Sequence, residues 1–473
     1  MGESNNSHSH RHAIVFPYPF QGHISPTLNF AVALASRGFV VTCVLTEFVH
    51  NAASKFGDFN FNFSGLDIRC ATISDGFPLD FNRRLSEEFR ESLINDFAGR
   101  ADEVIGRITR SYPAAKFVLV ADSLFSWPAA VAEKYGLVNV TFWTEPATVF
   151  SINYHLDLLR ENGHFPNFAA SGESRIDYIP GVRSISTNDL MSYIRQPKAL
   201  PGVTKIAVTA FQQVKNADFI LCNTVQELEP EALSALNHRH PTFAVGPITS
   251  SISHVHKHLV DKITLWPRSD CTDWLDSKPP GSVLYISFGS IARINEHELR
   301  EIAHGLLLTQ VNFLWVLRTD YGTKNAFPDG FLDDVQNRGI IVPWCNQNAV
   351  LGSVSVGAFL THCGWNSVLD SIWSGVPMIC HPLLVDQPTN RKLVVDDWRI
   401  GINLCDKEKV SREEFVRKIE MIMEGNECVL LKEEVKKVRE VLKNAWESSN
   451  GSSRRNFDRF VEELNCRLLL KKN

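Results

Sequence analysis

Short apolar runs alternate along this chain with stretches whose apolar residues recur every three or four positions. That alternation predicts parallel strands covered by helices. Residues 13–16 form the first run. After a loop, Ser25 and Pro26 are placed to open a helix, serine as its cap and proline in its first turn, with Leu28, Ala31, Val32 and Ala35 on one face. Runs at 39–45, 117–120, 138–142, 219–222 and 243–245 complete a predicted first sheet. A polar stretch, 249–270, breaks the pattern and reads as a linker. Runs at 283–286, 313–317, 340–342, 356–360 and 377–379 then repeat it as a second sheet. The expected organisation is a disordered polar tail (1–12), an α/β domain (13–248), a linker (249–270), a second α/β domain (271–450) and a closing helical segment (451–473).

Length agrees with this division, since 473 residues suit two domains of roughly 200 residues better than one core. A net charge of −5 with dispersed basic residues argues against nucleic acid as a partner. No uncharged apolar window of about 18 residues occurs, so no transmembrane segment is expected. The His-rich start has no signal-peptide core, and Asn6 stands where myristoylation needs Ser or Thr. The ten cysteines show neither zinc-ribbon spacing nor a dense disulfide framework, so reduced thiols and a cytoplasmic location are expected. His8, His10 and His12 read as part of the polar tail rather than a metal site. The charged stretch 432–443 reads as a solvated helix face.

The most specific chemistry lies between Trp344 and Gln387. An apolar run, 356–360, leads into Thr361-His362-Cys363-Gly364-Trp365-Asn366-Ser367, and a helical pattern follows. This is a strand-to-helix turn, where unpaired backbone N–H groups and the positive end of a helix dipole suit a phosphate. A second short run, 376–380, leads to Asp386-Gln387, whose side chains suit a polyol. Together the two segments read as a nucleotide-sugar site.

The segment 344–387 resembles the signature of plant secondary-product UDP-dependent glycosyltransferases. The matches include Trp344, Gln347, Leu351, Gly357, Phe359, the turn 362–367, Gly375-Val376-Pro377, Pro382 and Asp386-Gln387. Further matches run almost the length of the chain, from Gly22-His23 through Asn223-Thr224, Gly246-Pro247 and Ser287-Phe288-Gly289-Ser290 to Gly451-Ser452-Ser453. The resemblance implies a GT-B fold, with two Rossmann-like domains facing a cleft, the acceptor mainly on the first and the UDP-sugar mainly on the second. It also implies that the closing helix crosses back to the first domain. In the donor site it places Trp344 on uracil, Cys345 and Gln347 near the base or ribose, and His362, Gly364, Asn366 and Ser367 around the phosphates. Trp365, Asp386 and Gln387 fall on its sugar-contacting positions, and Ser290 approaches the diphosphate.

The reaction needs a base, because an acceptor hydroxyl is a weak nucleophile until its proton leaves. His23 and Asp122 each follow a predicted strand, and an imidazole can take that proton near neutral pH while a carboxylate orients it. Alone, either residue has ordinary structural explanations. The family's base and its partner fall on His23 and Asp122, which favours the catalytic reading. The implied mechanism is direct displacement with inversion, without a covalent intermediate or a divalent metal.

Three departures qualify the resemblance. Asn346 replaces a proline and is expected to loosen the uracil loop. Ser353 replaces a common histidine. Asp370 replaces the glutamate expected on the ribose hydroxyls and is one methylene shorter. Gln387 points to UDP-glucose as donor, with UDP-galactose, UDP-xylose and UDP-glucuronate as other possibilities. Phe20, Phe125, Trp127, Trp143 and Leu384 come from segments that can border the cleft and would suit a flat phenolic or terpenoid acceptor, although core packing explains most of them equally well. A monomer is expected. The competing reading is a UDP-sugar-binding protein with weak or lost transfer. A dinucleotide-dependent oxidoreductase fits poorly, because only Gly22 lies between the first strand and the Ser25-Pro26 helix start.

Overall fold

A computed structural model of the chain describes residues 11–56, 65–84, 86–166, 174–248, 264–318, 327–406, 409–424 and 426–471. The first sheet contains β1 (Arg11–Phe16), β2 (Val40–Thr46), β3 (Ile68–Ile73), β4 (Lys116–Asp122) and β5 (Val138–Trp143). A two-residue hairpin, β6 (Arg175–Ile176) with β7 (Ile185–Ser186), stands apart, and β8 (Phe219–Cys222) and β9 (Thr242–Ala244) complete the sheet. Its order is β3-β2-β1-β4-β5-β8-β9, parallel throughout. The second sheet holds β10 (Val283–Ser287), β11 (Asn312–Val316), β12 (Gly339–Val342), β13 (Val356–Thr361), β14 (Met378–Cys380) and β15 (Gly401–Asn403). Its order is β12-β11-β10-β13-β14-β15, also parallel.

These are two doubly wound, Rossmann-like units, as the alternating pattern predicts. Helices cover both faces of each sheet, so the central strands β4, β5, β10 and β13 are buried over most of their length. In each sheet the strand order reverses once, between β1 and β4 and between β10 and β13. Ligands of such sheets lie at the carboxyl ends of strands beside that reversal. The positions fixed by this rule are the loops after β1 and β4 in one sheet and after β10 and β13 in the other.

Several expectations need correction. β1 begins at Arg11, so two residues assigned to the polar tail belong to the sheet. His12 is buried there, with Nε2 2.8 Å from the Thr42 hydroxyl and its ring stacked on Phe117. A polar residue satisfied inside a sheet does not show as an apolar run. Residues 1–10 lie outside the described residues, as do 249–263 of the expected linker. Edge strands β3 and β15 were not foreseen: β3 carries Arg69, Cys70, Ala71 and Thr72 in half-exposed or exposed positions, and β15 has only three residues.

The first helix runs Gln21–Ala35, four residues earlier than the Ser25-Pro26 start. Pro26 sits inside it, where the missing N–H leaves the carbonyl four residues back without its helical partner. That carbonyl belongs to Gly22, and the Asn366 amide, projecting from the second sheet's unit, donates to it at 2.6 Å. The proline is tolerated because a side chain from across the cleft supplies the bond.

The last helix, Ser452–Leu470, packs Phe457, Phe460, Val461, Leu464 and Leu468 into the core of the first sheet. Phe460 meets Phe219 and Phe243 at ring distances of 5.6 and 5.7 Å. Gly246 marks the crossing, since its carbonyl accepts from Trp446 Nε1 at 2.9 Å and from the Ser453 hydroxyl at 2.5 Å. Among the described residues no helix is long and apolar enough to cross a membrane.

Candidate active site

A cavity of about 530 Å³ lies between the two sheets, at the carboxyl ends of their strands. Of the residues singled out from sequence, His23, Ser290, Trp344, Cys345, Gln347, His362, Gly364, Trp365, Asn366, Ser367, Asp370, Asp386 and Gln387 line it. Asp122 does not. It ends β4, almost fully buried behind His23.

His23 lies in the first turn of the first helix rather than in a loop. Its Nδ1 is 2.8 Å from Asp122 Oδ2 and 2.9 Å from the Thr144 hydroxyl. Asp122 is fixed in turn by the Leu124 N–H, which donates to Oδ1 at 2.9 Å. With the Nδ1 proton given to Asp122, Nε2 is left with its lone pair. Thr144 and Glu145 follow β5 as Asp122 ends β4, and Glu145 Oε1 stands 4.0 Å from His23 Nε2. Neither was singled out from sequence, although the strand-end rule that picked out Asp122 applies equally after the run 138–142.

The turn after β13 has an unusual backbone. Cys363 adopts φ +64°, a left-handed conformation uncommon outside glycine and found often at functional sites. The Thr361 hydroxyl steadies it by accepting from the Cys363 N–H at 3.1 Å. Beyond Gly364 the helix Trp365–Ser374 begins, its first N–H groups uncapped by any side chain. His362 is buried against this turn, and Nδ1 has no hydrogen-bond partner among the described residues. Burial first, and the Arg318 guanidinium second, push its pKa down to about 4, so it is neutral near pH 7. Gly289, in the loop after β10, has φ +71°, and a side chain there would overlap the His362 ring. Arg318 pins the same loop by donating to the carbonyls of Gly289 and Ala292.

Several side chains expected on the ligand are partly committed to protein. The Trp365 indole N–H donates to the Asn223 carbonyl at 2.8 Å and most of its side chain packs in the core, so it ties the two units together while bordering the cavity. Asn366 spends one N–H on Gly22 and keeps a second proton on that nitrogen, while its buried Oδ1 has no partner among the described residues. Gln387 Oε1 accepts from the N–H groups of Leu383 and Leu384 at 2.9 and 2.7 Å, which leaves the amide nitrogen for a ligand. It can donate to a hydroxyl. Asp386 follows Val385, another left-handed residue at φ +49°, and accepts from Asn390 at 2.5 Å. Burial raises the Asp386 pKa to about 6.

At the other end of the cavity, Gln347 Nε2 donates to Asp370 Oδ2 at 2.9 Å and to the Ser367 hydroxyl at 3.2 Å. The Asn348 amide, turned with its nitrogen toward Asp370, donates to both carboxylate oxygens. Asn346, expected to loosen this loop, adds a side-chain bond to it. It caps the short helix Gln347–Leu351, its side chain accepting from the Ala349 N–H at 3.4 Å. Ser353, in place of the histidine, meets Ser355 at 2.8 Å between hydroxyl oxygens. Trp344 packs one side against Trp266, with ring centroids 4.6 Å apart. Trp266 belongs to the stretch read as linker, and nothing in its polar surroundings marked it as part of the site. Of the apolar residues considered for the acceptor, Phe20, Trp143 and Leu384 line the cavity, whereas Phe125 and Trp127 are buried in the core beside Phe97.

Known proteins share this architecture. Residues 268–443 match the family described as UDP-glucoronosyl and UDP-glucosyl transferase. The chain is 45% identical over 476 residues to UDP-glycosyltransferase 86A1 of Arabidopsis thaliana, covering 97% of this chain and 96% of that protein. It is 34% identical to 7-deoxyloganetin glucosyltransferase of Gardenia jasminoides, covering 98% and 99% of the two chains. The crystal structure of Os79 from O. sativa in complex with UDP superposes with a TM-score of 0.82 at 26% identity, over 96% of this chain and 100% of that one. With two Rossmann-like sheets facing one cavity and these relatives over nearly its whole length, the chain belongs to the plant UDP-dependent glycosyltransferases of GT-B fold.

Proposed function

We propose that the protein transfers glucose from UDP-glucose, with inversion, to a hydroxyl or carboxyl group of a small lipophilic plant metabolite, with His23 as general base and Asp122 as its orienting partner. The observation that carries this reading is the position of His23. Its Nδ1 is held by Asp122, and the residues around it border the same cavity as the turn 362–367 and Asp386-Gln387. The His23 lone pair takes the acceptor proton as the acceptor oxygen attacks the anomeric carbon, and the bond to UDP breaks on the opposite face. One attack without a covalent intermediate inverts the centre. A positioned base contributes about 10²–10⁴-fold to such a step.

The departing diphosphate would meet the free N–H groups and positive dipole end of the helix Trp365–Ser374. Neutral His362, held against Gly289 and Gly364, would face it as a hydrogen-bond partner, and Ser290 borders the same space. Trp344 would offer a ring face to uracil, and the Gln347–Asp370 pair would border the ribose. Glucose as the sugar is supported by the Gln387 amide, free to donate to a hydroxyl, and by the name of the Gardenia relative. Phe20, Trp143 and Leu384 favour a lipophilic acceptor such as a phenolic or terpenoid.

The test is UDP release from UDP-glucose against a panel of phenolic, terpenoid and hormone-like acceptors. Acceptor-dependent release is expected. A rise in melting temperature with UDP-glucose but no release with any acceptor would instead indicate a binding protein.

A further inference from the structure

The loop that brings Asp386 and Gln387 to the cavity is held from the opposite unit. Val385, just before them, has φ +49°, and a β-branched residue stays left-handed only where its surroundings hold it there. Those surroundings come from the first sheet's unit. The Val385 N–H donates to the Ser192 hydroxyl at 2.8 Å, and the Ser192 N–H donates to the Val385 carbonyl at 2.9 Å. The Val385 side chain packs on the hydrophobic cluster of that unit, which includes Trp143, Leu190 and Tyr193.

Two further bonds reinforce this clasp. The Thr389 hydroxyl donates to the Asp189 carbonyl at 2.6 Å, and Arg391 pairs with the Asp189 carboxylate. Gln387 Oε1 is fixed on the N–H groups of Leu383 and Leu384, directly before Val385. The backbone direction at Val385 therefore sets where the Asp386 carboxylate and the Gln387 amide nitrogen stand. Among the described residues, the segments at the uracil and diphosphate end, 344–348 and 362–367, have no hydrogen bond to 189–192. The clasp acts on the sugar end alone.

We propose that Ser192 is a positioning residue for the donor sugar, fixing the left-handed turn at Val385 and with it the choice of sugar on UDP. This rests on the donor reading above, in which Asp386 and Gln387 meet the sugar, and adds that sugar choice is set from both units. The described residues lining the cavity include Val385, Asp386 and Gln387 but not Ser192, which acts through them.

The test compares wild type, Ser192→Ala and Ser192→Thr by calorimetry with UDP and with UDP-glucose. The same proteins are assayed for kcat/KM on UDP-glucose and UDP-galactose with one shared acceptor. Ser192→Ala should bind UDP within about twofold of wild type but UDP-glucose about three- to tenfold more weakly, the scale of one net hydrogen bond. Its preference for glucose over galactose should shrink by about threefold or more, because the sugar-contacting pair is no longer held in place. Ser192→Thr keeps the hydroxyl and should stay close to wild type. Unchanged UDP-glucose affinity and sugar preference in Ser192→Ala would overturn the assignment, and so would an equal loss for UDP and UDP-glucose, which marks general damage to the fold. A wild type that releases UDP from neither sugar with any acceptor would instead overturn the transfer reading, while the two affinities would still decide the role of Ser192.

Discussion

Pro26 withholds one backbone N–H, and the Gly22 carbonyl this frees receives Asn366 from the opposite side of the cleft. Single residues of this kind have effects that their own segment does not show. Asp370 is a second. It is one methylene shorter than the glutamate of the family pattern, and at the cavity wall it is bonded to Gln347 and Asn348. Asp370→Glu should extend the carboxylate toward the ribose and tighten UDP binding by about two- to tenfold, the worth of one net hydrogen bond of about 0.5–1.5 kcal/mol. Titration calorimetry with UDP measures this, and equal or weaker binding would refute it. A third is His12, whose pKa burial lowers from 6.5 to about 4. The unfolded chain then binds more protons than the folded one between these values, so stability is complete above about pH 6.5 and falls as pH drops toward 4. A shift of this size is worth up to about 3 kcal/mol, and His362 adds to the loss over the same range. Urea denaturation at pH 7 and pH 4.5 should show the loss in the wild type and a smaller one in His12→Asn. An equal loss in both would exclude His12 as a source.

At the scale of elements, the strands were legible wherever both faces are apolar. That covers the central strands of both sheets, and those are the strands whose carboxyl ends carry Asp122 and the turn 362–367. The edge strands β3 and β15 and the helix starts were not, although the edge strands β9 and β12 were, because their residues answer to neighbours the local pattern does not contain. The first helix shows this most directly: read locally, Ser25-Pro26 is a helix start, but a donor 344 residues away makes Pro26 an interior position. The same reason hid Trp266 and the commitment of Trp365 and Gln387 to backbone partners. Asn346, expected to loosen the uracil loop, caps the helix Gln347–Leu351. Asn346→Ala should therefore cost about 0.5–2 kcal/mol and weaken UDP binding. A melting temperature and UDP affinity both unchanged would show that the cap contributes nothing.

At the scale of the whole molecule, the closing helix binds the two sheets into one unit. It follows the second sheet in the chain but completes the hydrophobic core of the first with five large apolar side chains. Burying each contributes about 1.5–3 kcal/mol, so removing 451–473 should cost an amount comparable with the whole of a typical stability margin of about 5–15 kcal/mol. The truncated protein is expected to aggregate or to lose cooperative unfolding, and a monomeric truncate with an unchanged melting temperature would contradict this. The arrangement it preserves brings the base from one sheet to the donor turn of the other, with Asn366 on Gly22 and Trp365 on Asn223 spanning the cleft. The most direct test of the account is His23→Ala, with UDP release and UDP-glucose affinity measured on the same preparation. The account predicts release reduced by at least about 10²-fold with affinity retained; undiminished release would contradict it.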